Sequence, residues 1–512
     1  MRGDDVPWLT LLGLAPLVGG LVLALLPRGR DLLAKQVALG FATLTLVVAV
    51  AIAAQYDLDG AGYQLSEQVD WIGAFGVHYA LGVNGLGLTL VLMTAILTPV
   101  VVLASWNDGD TGRWSSASFF AWMLVLEGLA LGAFMATDVF LFYVLFEATL
   151  IPLYFLIGGY GGRDRQGAAL KFLVYNLLGG LVMLAAVVGL YVVSSRAGSP
   201  SYLLSDLMDV EMGTWTERLL FIGFMVAFAI KAPLWPLHTW LPGAAKAATP
   251  GSSVLMVSVL DKIGTFGMLR FCLGLFPEAS QWASPVVITL AVISIIYGAL
   301  LAIGEDDIRR LIAYTSVSHF GFIILGIFAF TTQSTTGAAL YMFNHGLSTA
   351  ALFLVTGFLI ARRGSASIAD YGGVQKVAPV LAGILLLAGL SSLSLPGLSP
   401  FVSEFLVLAG TFTRSTVAAV FATLGIVLAA LYILLMYQRT MTGPLREDNA
   451  HVTDLHGREI ASLAPMVVLI IGLGLFPQPL LNVIQPSVDA TLQHVGVTDP
   501  APVATEAEEG SR

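Results

Sequence analysis

Six ionisable side chains fall within long apolar runs of the sequence: Glu127, Glu147, Lys231, Asp261, Lys262 and Glu404. An ionised group at the centre of a bilayer costs at least about 2.5–3.5 kcal/mol on insertion scales, so each needs a reason to be there. Glu147 lies about 13 Å into its run at 1.5 Å per helical residue, too deep to reach a surface. Lys262 and Lys231 are similarly deep. One buried acid–base pair can simply tie two helices together, although such pairs rarely add net stability. Several titratable groups are what a proton relay needs. Burial disfavours the charged form of carboxylate and ammonium alike, and an opposite charge nearby favours it. At ~6 Å and an effective dielectric of ~20 that attraction is about 3 kcal/mol, roughly a hundredfold in a protonation equilibrium. Making or breaking a contact between Glu147 and Lys231 is therefore a candidate switch. His238, His319 and His345 lie in or beside apolar runs, whereas His78, His451, His456 and His494 fall in connections or the tail. A lone membrane histidine is usually a satisfied hydrogen-bonding residue, but three of them following the lysines make a second relay layer. Their spacing is not that of a metal site.

The elements carrying these groups are membrane spans. Of 512 residues, 57% are hydrophobic and 11% charged, against roughly 25% charged in soluble domains. The single cysteine, Cys272, leaves no pair for a disulfide, a CxxC site or a cysteine-bound iron–sulfur cluster. No Walker A, GxGxxG or HExxH pattern occurs, so no cofactor or metal is expected on this chain. A net charge of −9 argues against a nucleic-acid partner. The first apolar run follows Asp4 and Asp5 rather than lysines, so it is expected to be retained.

The expected fold is all-α and integral to the membrane, with about fourteen spans: 7–27, 31–54, 82–105, 115–136, 138–158, 170–194, 219–246, 253–275, 285–304, 309–330, 336–361, 379–412, 416–440 and 460–480. Alternate connections then hold 16 of the 24 basic residues and the others 6, with Lys231 and Lys262 inside spans. By the positive-inside rule both termini lie outside the cytoplasm. Residues 1–486 read as a single polytopic domain and 487–512 as a loose acidic tail with Glu506, Glu508 and Glu509. The connections 55–81 and 195–218 read as mildly acidic outer loops. Two spans, the seventh and twelfth, are interrupted: Pro233, Pro236 and Pro242 follow Lys231, and Pro396, Gly397 and Pro400 precede Glu404. Proline removes a backbone donor, and such breaks persist in a membrane only where protein or water satisfies the freed groups. Paired broken helices, each with a buried charge, mark an ion path.

Several stretches carry a resemblance: DVFLFYVLFEATLIPLYFLIGGYGG (138–162), KAPLWPLHTWLPGA (231–244), DKIGTFGMLRF (261–271), LIAYTSVSHFGFIILG (311–326), FNHGLSTAALFLVTGFL (343–359) and LSLPGLSPFVSEFLVLAG (393–410). They resemble the antiporter-like membrane subunits of the proton-pumping NADH:quinone oxidoreductase, respiratory complex I, over nearly the whole chain. The resemblance implies two inverted five-helix repeats, about 115–275 and 285–440, each forming a half-channel. It implies that Glu147 and Lys231 are a switching pair, Lys262 the central relay, His319 and His345 the polar path of the second half with His238 beside the first, and Glu404 the terminal exchange site. Glutamate at that last position is typical of the M-type branch, similar to mitochondrial subunit 4, whereas the L and N types and multisubunit sodium/proton antiporters carry lysine. NADH, FMN, iron–sulfur clusters and quinone are then expected in partner subunits, with L- and N-type subunits as neighbours in a plasma (inner) membrane. The chain departs from the family at GAAKAATPGS (243–252), where relatives usually have an acidic, histidine-bearing segment, and at Asp261. A subunit of a multisubunit cation/proton antiporter is the main alternative, and a membrane scaffold of a hydrogenase-like complex a third.

Overall fold

The computed structural model describes residues 6–198 and 200–500. It is mostly helical, and among the described residues twelve helices are long and apolar enough to cross a membrane. Three of them, Pro250–Leu275, Ile308–Phe328 and Thr332–Arg363, are wholly or almost wholly buried and form the interior. Trp8–Leu25, Asp31–Gln55, Arg165–Arg196, Pro277–Gly304, Thr416–Met441 and Gly457–Leu475 present much of their apolar surface outward, as lipid-facing helices do.

Polar residues fix where many of these helices begin. Asn84, Ser115, Asp138, Asp307, Thr331 and Ser415 each accept a hydrogen bond from a backbone amide of the first turn, satisfying donors that a helix leaves free at its start. Glu67 plays the same part from a distance, accepting from the amides of Leu9 at 2.7 Å and Thr10 at 3.1 Å.

The segments expected as spans 219–246 and 379–412 are each divided. The first holds helices Thr214–Lys231 and Leu241–Ala247. Between them the indole of Trp240 donates to the carbonyl of Ile230 at 2.9 Å, and the amide of Leu234 to the carbonyl of Ala229 at 3.0 Å. The second holds helices Pro379–Ser392 and Ser399–Arg414, joined through Ser394 and Gly397 at positive φ. Asn344 donates from its amide nitrogen to the carbonyl of Ser399 at 2.8 Å. Side chains from neighbouring elements thus take up backbone groups that the breaks release. Pro250–Leu275 is continuous but contains two π-helical stretches, Leu255–Leu260 and Met268–Cys272, on either side of Asp261–Gly267.

The connection 55–81 holds a hairpin, with Gln64–Ile72 and Val77–Val83 paired antiparallel. Asp138 anchors it by accepting from the amide of His78 at 2.8 Å. The boundary at 486 falls inside a helix, Gln478–Val495, which buries Leu480, Ile484, Val488, Leu492 and Val495 as a stripe. It packs so closely that a Cβ on Gly85 would sit 1.8 Å from the carbonyl oxygen of Val483. The acidic residues Glu506, Glu508 and Glu509 lie outside the described residues.

Contacts between connections hold several basic residues of the larger charge set. Lys35 pairs with Asp110 at 2.8 Å, Arg363 with Asp448 at 3.3 Å and Arg362 with Glu459, and Arg309 and Arg458 line one cavity of about 330 Å³ with Asp108. All five basic residues belong to the larger set. Of the smaller set, Arg414 meets the carbonyls of Phe330 and Thr498, and Arg270 those of Phe134 and Ala136.

Helices Thr332–Arg363 and Ser399–Arg414 touch at Gly337, where a Cβ would lie 2.7 Å from the amide of Val407 and 2.9 Å from the carbonyl oxygen of Ser403. Backbone cannot yield as a side chain can. Gly337→Val is therefore expected to destabilise the chain by about 1–3 kcal/mol, read as a lower thermal midpoint of the purified assembly.

Candidate proton path

Helix Thr332–Arg363 presents Tyr341 and His345, four residues apart, to the same side. His345 meets Lys262 of Pro250–Leu275, with Nδ1 2.6 Å from the lysine Nζ. That Nζ also donates to the carbonyl of Val257 at 2.8 Å, in the π-helical stretch behind it, and lies 4.8 Å over the ring of Phe320. π-Helical turns recur at functional sites, and here one supplies the carbonyl that holds the lysine.

One turn earlier, the Tyr341 hydroxyl lies 2.6 Å from Nδ1 of His319 and donates to Oε2 of Glu404 at 2.8 Å. The Ser394 hydroxyl donates to the same oxygen at 2.6 Å. With the tyrosine proton committed to the carboxylate, its oxygen accepts from His319, whose other nitrogen is 3.4 Å from the Ser392 hydroxyl. The His319 and His345 rings are 5.3 Å apart. Lys262, His345, His319, Tyr341 and Glu404 therefore form one buried file, with its widest step between the two imidazoles.

Glu147 and Lys231 approach this file from the other side. The Glu147 carboxylate rests against Gly180, where a Cβ would come within 1.9 Å of Oε1. Only glycine leaves room for the acid. Neither Glu147 Oε1 nor Lys231 Nζ has a hydrogen-bond partner among the described residues. Lys231, at the end of Thr214–Lys231, lies 4.4 Å over the ring of Phe146, the neighbour of Glu147 in sequence. The two groups are neighbours out of hydrogen-bonding contact.

His238 stands apart. It sits in the broken segment beside the rings of Tyr297 and Tyr314, at 5.2 and 6.5 Å, with Nδ1 unpartnered among the described residues. Glu127 and Asp261 are buried, and among the described residues both oxygens of each lack a hydrogen-bond partner. Outside the spans, burial pushes the Asp108 carboxyl up to about 6, opposed by Ser105 and the charge of Arg458. Among the described residues no three His, Cys, Asp or Glu side chains cluster as a metal site.

Sequence reasoning missed Tyr341, Ser392 and Ser394. The available signal was the spacing of Tyr341 to His345, which places a hydroxyl one turn from an imidazole in a buried helix.

Residues 136–429 match the NADH:quinone oxidoreductase/Mrp antiporter transmembrane family, and the chain belongs to it. A Mycobacterium tuberculosis protein named NADH-quinone oxidoreductase subunit M is 51% identical, over 98% of this chain and 96% of its own length. An Arabidopsis thaliana protein named NADH-ubiquinone oxidoreductase chain 4 is 34% identical, over 94% and 96%. A chain of respiratory complex I from Thermus thermophilus superposes with a TM-score of 0.86 at 33% identity, covering 96% of this chain and all of that one. A chain of the Mrp complex from Dietzia sp. DQ12-45-1b superposes at 0.85 with 20% identity, a likeness of fold.

Tyr341→Phe removes the hydroxyl between His319 and Glu404 while keeping the ring. It is expected to slow NADH-driven proton transfer about tenfold, the equivalent of one hydrogen bond of ~1.4 kcal/mol, with assembly unchanged, as measured by vesicle acidification and native electrophoresis.

Proposed function

We propose that the chain is the proton-carrying membrane subunit of an NADH:quinone oxidoreductase, in the position that relatives named subunit M occupy. It moves protons through Glu147, Lys231, Lys262, His345, His319 and Glu404 while NADH is oxidised and quinone reduced on other subunits. The observation that carries this reading is the continuous hydrogen-bonding from His319 through Tyr341 to Glu404, beside the contact of Lys262 with His345.

Each group contributes a distinct step. Glu147 sets the charge felt by Lys231, favouring the ammonium when it is ionised. When that charge is withdrawn, Lys231 gives up its proton toward Lys262. An incoming charge beside Lys262 makes its ammonium less stable, and His345, already in contact, is the acceptor. The imidazoles pass the proton on. His319 gives its Nδ1 proton to the Tyr341 oxygen as the tyrosine gives its own to Glu404, so the carboxylate gains a proton without any heavy atom moving far. Moving one charge against 100 mV costs about 2.3 kcal/mol. Redox chemistry in the partner subunits supplies that free energy, and NADH, FMN, iron–sulfur clusters and quinone belong there. His238, buried beside Tyr297 and Tyr314 of the second repeat, joins the path where the two halves meet.

The same reading gives fourteen spans when the divided segments 219–246 and 379–412 each cross the membrane as broken helices. Residues 115–275 and 285–440 are then inverted repeats within a single membrane domain. The concentration of arginine and lysine at one end supports a cytoplasmic location for that end and an external one for both termini, in the plasma membrane. Subunits of the L and N types flank the chain. Glutamate at position 404 favours this assignment over a cation/proton antiporter.

Glu147→Gln keeps the shape of the side chain and abolishes its charge. In fully assembled complexes it is expected to lower both NADH oxidation and acidification of inverted vesicles about tenfold or more. Unchanged NADH-driven acidification would remove Glu147 from the path.

A further inference from the structure

Asp261 has no part in the steps above. It lies in the wholly buried helix Pro250–Leu275, is 0% exposed, and neither of its oxygens has a hydrogen-bond partner among the described residues. A carboxylate held only as a structural counter-ion would touch a donor, because an unpaired buried charge costs several kcal/mol.

Its direction follows from its neighbours. Lys262, the next residue, points about 100° further round the helix, toward His345 and the carbonyl of Val257. Gly264, one turn beyond Asp261 and on its face, is pressed against the end of Thr214–Lys231. A Cβ there would lie 2.7 Å from the amide of Ala232 and 2.8 Å from the carbonyl oxygen of Phe228. That end carries Lys231, whose Nζ is also unpartnered. An unsatisfied carboxylate and an unsatisfied amine are thus brought to one helix contact, with Lys262 the next residue along from the carboxylate.

We propose that Asp261 is the proton carrier between Lys231 and Lys262. The inference deepens the proposed function and rests on it. The Lys231 ammonium gives one proton to a carboxylate oxygen of Asp261, leaving a neutral amine and a neutral acid. Asp261 then gives that proton to the unprotonated Lys262, restoring a carboxylate and forming an ammonium. One N–H and one O–H bond are exchanged at each step, and nothing is oxidised or reduced. Besides Lys231, the elements packed against this helix carry Glu127 on Ser116–Met135 and Tyr341 and His345 on Thr332–Arg363, with Arg270 further along the helix itself. Tyr154 and Tyr160 lie on Leu150–Tyr160 beside its first turn, Glu217 and Arg218 at the opposite end of Thr214–Lys231, and Asp206, Glu278, Asp489 and His494 on elements that meet its last turn, Leu273–Leu275. The adjoining helix Gly85–Ala104 carries none.

The test uses inverted vesicles holding the whole assembled complex, with Asp261→Asn, Asp261→Glu and Glu147→Gln compared with wild type across a pH series. Asp261→Asn is expected to slow NADH-driven acidification at least about tenfold with subunit content unchanged. Asp261→Glu is expected to restore most of the rate with a displaced pH profile, which a merely structural acid would not give. Wild-type rate and pH profile in Asp261→Asn would overturn the proposal. If Asp261→Asn does not assemble, Asp261→Glu decides: a displaced profile supports the carrier, and an unmoved one overturns it. Pumping lost in Glu147→Gln but kept in Asp261→Asn defeats the inference alone. Pumping kept in both removes Glu147 from the proposed path as well.

Discussion

Hydrocarbon offers no water to a charge or a free peptide group, and the architecture follows from where that demand is met. A broken helix, a lysine and a carboxylate each cost several kcal/mol in such a medium unless protein supplies their partners. They are accordingly gathered where protein is on every side. The three innermost helices hold Asp261, Lys262, His319, Tyr341 and His345, and Glu404 is brought to them by the second broken segment. Helices with lipid-facing surfaces surround this interior. Close approach matters as much as chemistry, because Gly180, Gly264 and Gly337 allow neighbouring groups to come nearer than any larger residue would.

Burial alone does not separate a relay from a bolt. Arg362 and Glu459 form a two-pronged ion pair near the basic-rich end, with both side chains largely buried and every contact saturated. The interior groups are different. Lys231, Glu147, Glu127, Asp261 and one nitrogen of His345 retain unused hydrogen-bonding capacity. A saturated pair stays as it is, whereas an unsaturated group is ready to gain or lose a proton as the charge around it changes.

Much of this could be read from the sequence, for physical reasons. Runs of apolar residues are long and unambiguous, so the long helices were legible, and charges inside them stand out because they are rare. Prolines beside Lys231 and Glu404 marked the divided segments. Partnership was less legible. Lys262 and His345 are 83 residues apart and Tyr341 and Glu404 are 63 apart, and no local pattern reports such meetings. The hairpin Gln64–Ile72 and Val77–Val83 escaped notice because its first strand is exposed on both faces and shows no clean alternation. Helix Gln478–Val495 carries Pro486 in its interior and buries only a narrow stripe, so its composition reads as tail. The π-helical turns around Asp261–Gly267 leave no sequence mark at all.

The hydroxyl of Tyr341 has one hydrogen and faces Glu404. On the proposed path, a proton crossing from His319 means that this hydrogen is handed on and the one replacing it points back toward the imidazole. The tyrosine must then swing its O–H round before the next can pass. On that path it acts as a turnstile: single entry, then a rearming motion, with no standing column along which charge could run freely in both directions. A pump that must hold a gradient between strokes gains from such a joint, because backflow has to wait for the same rotation.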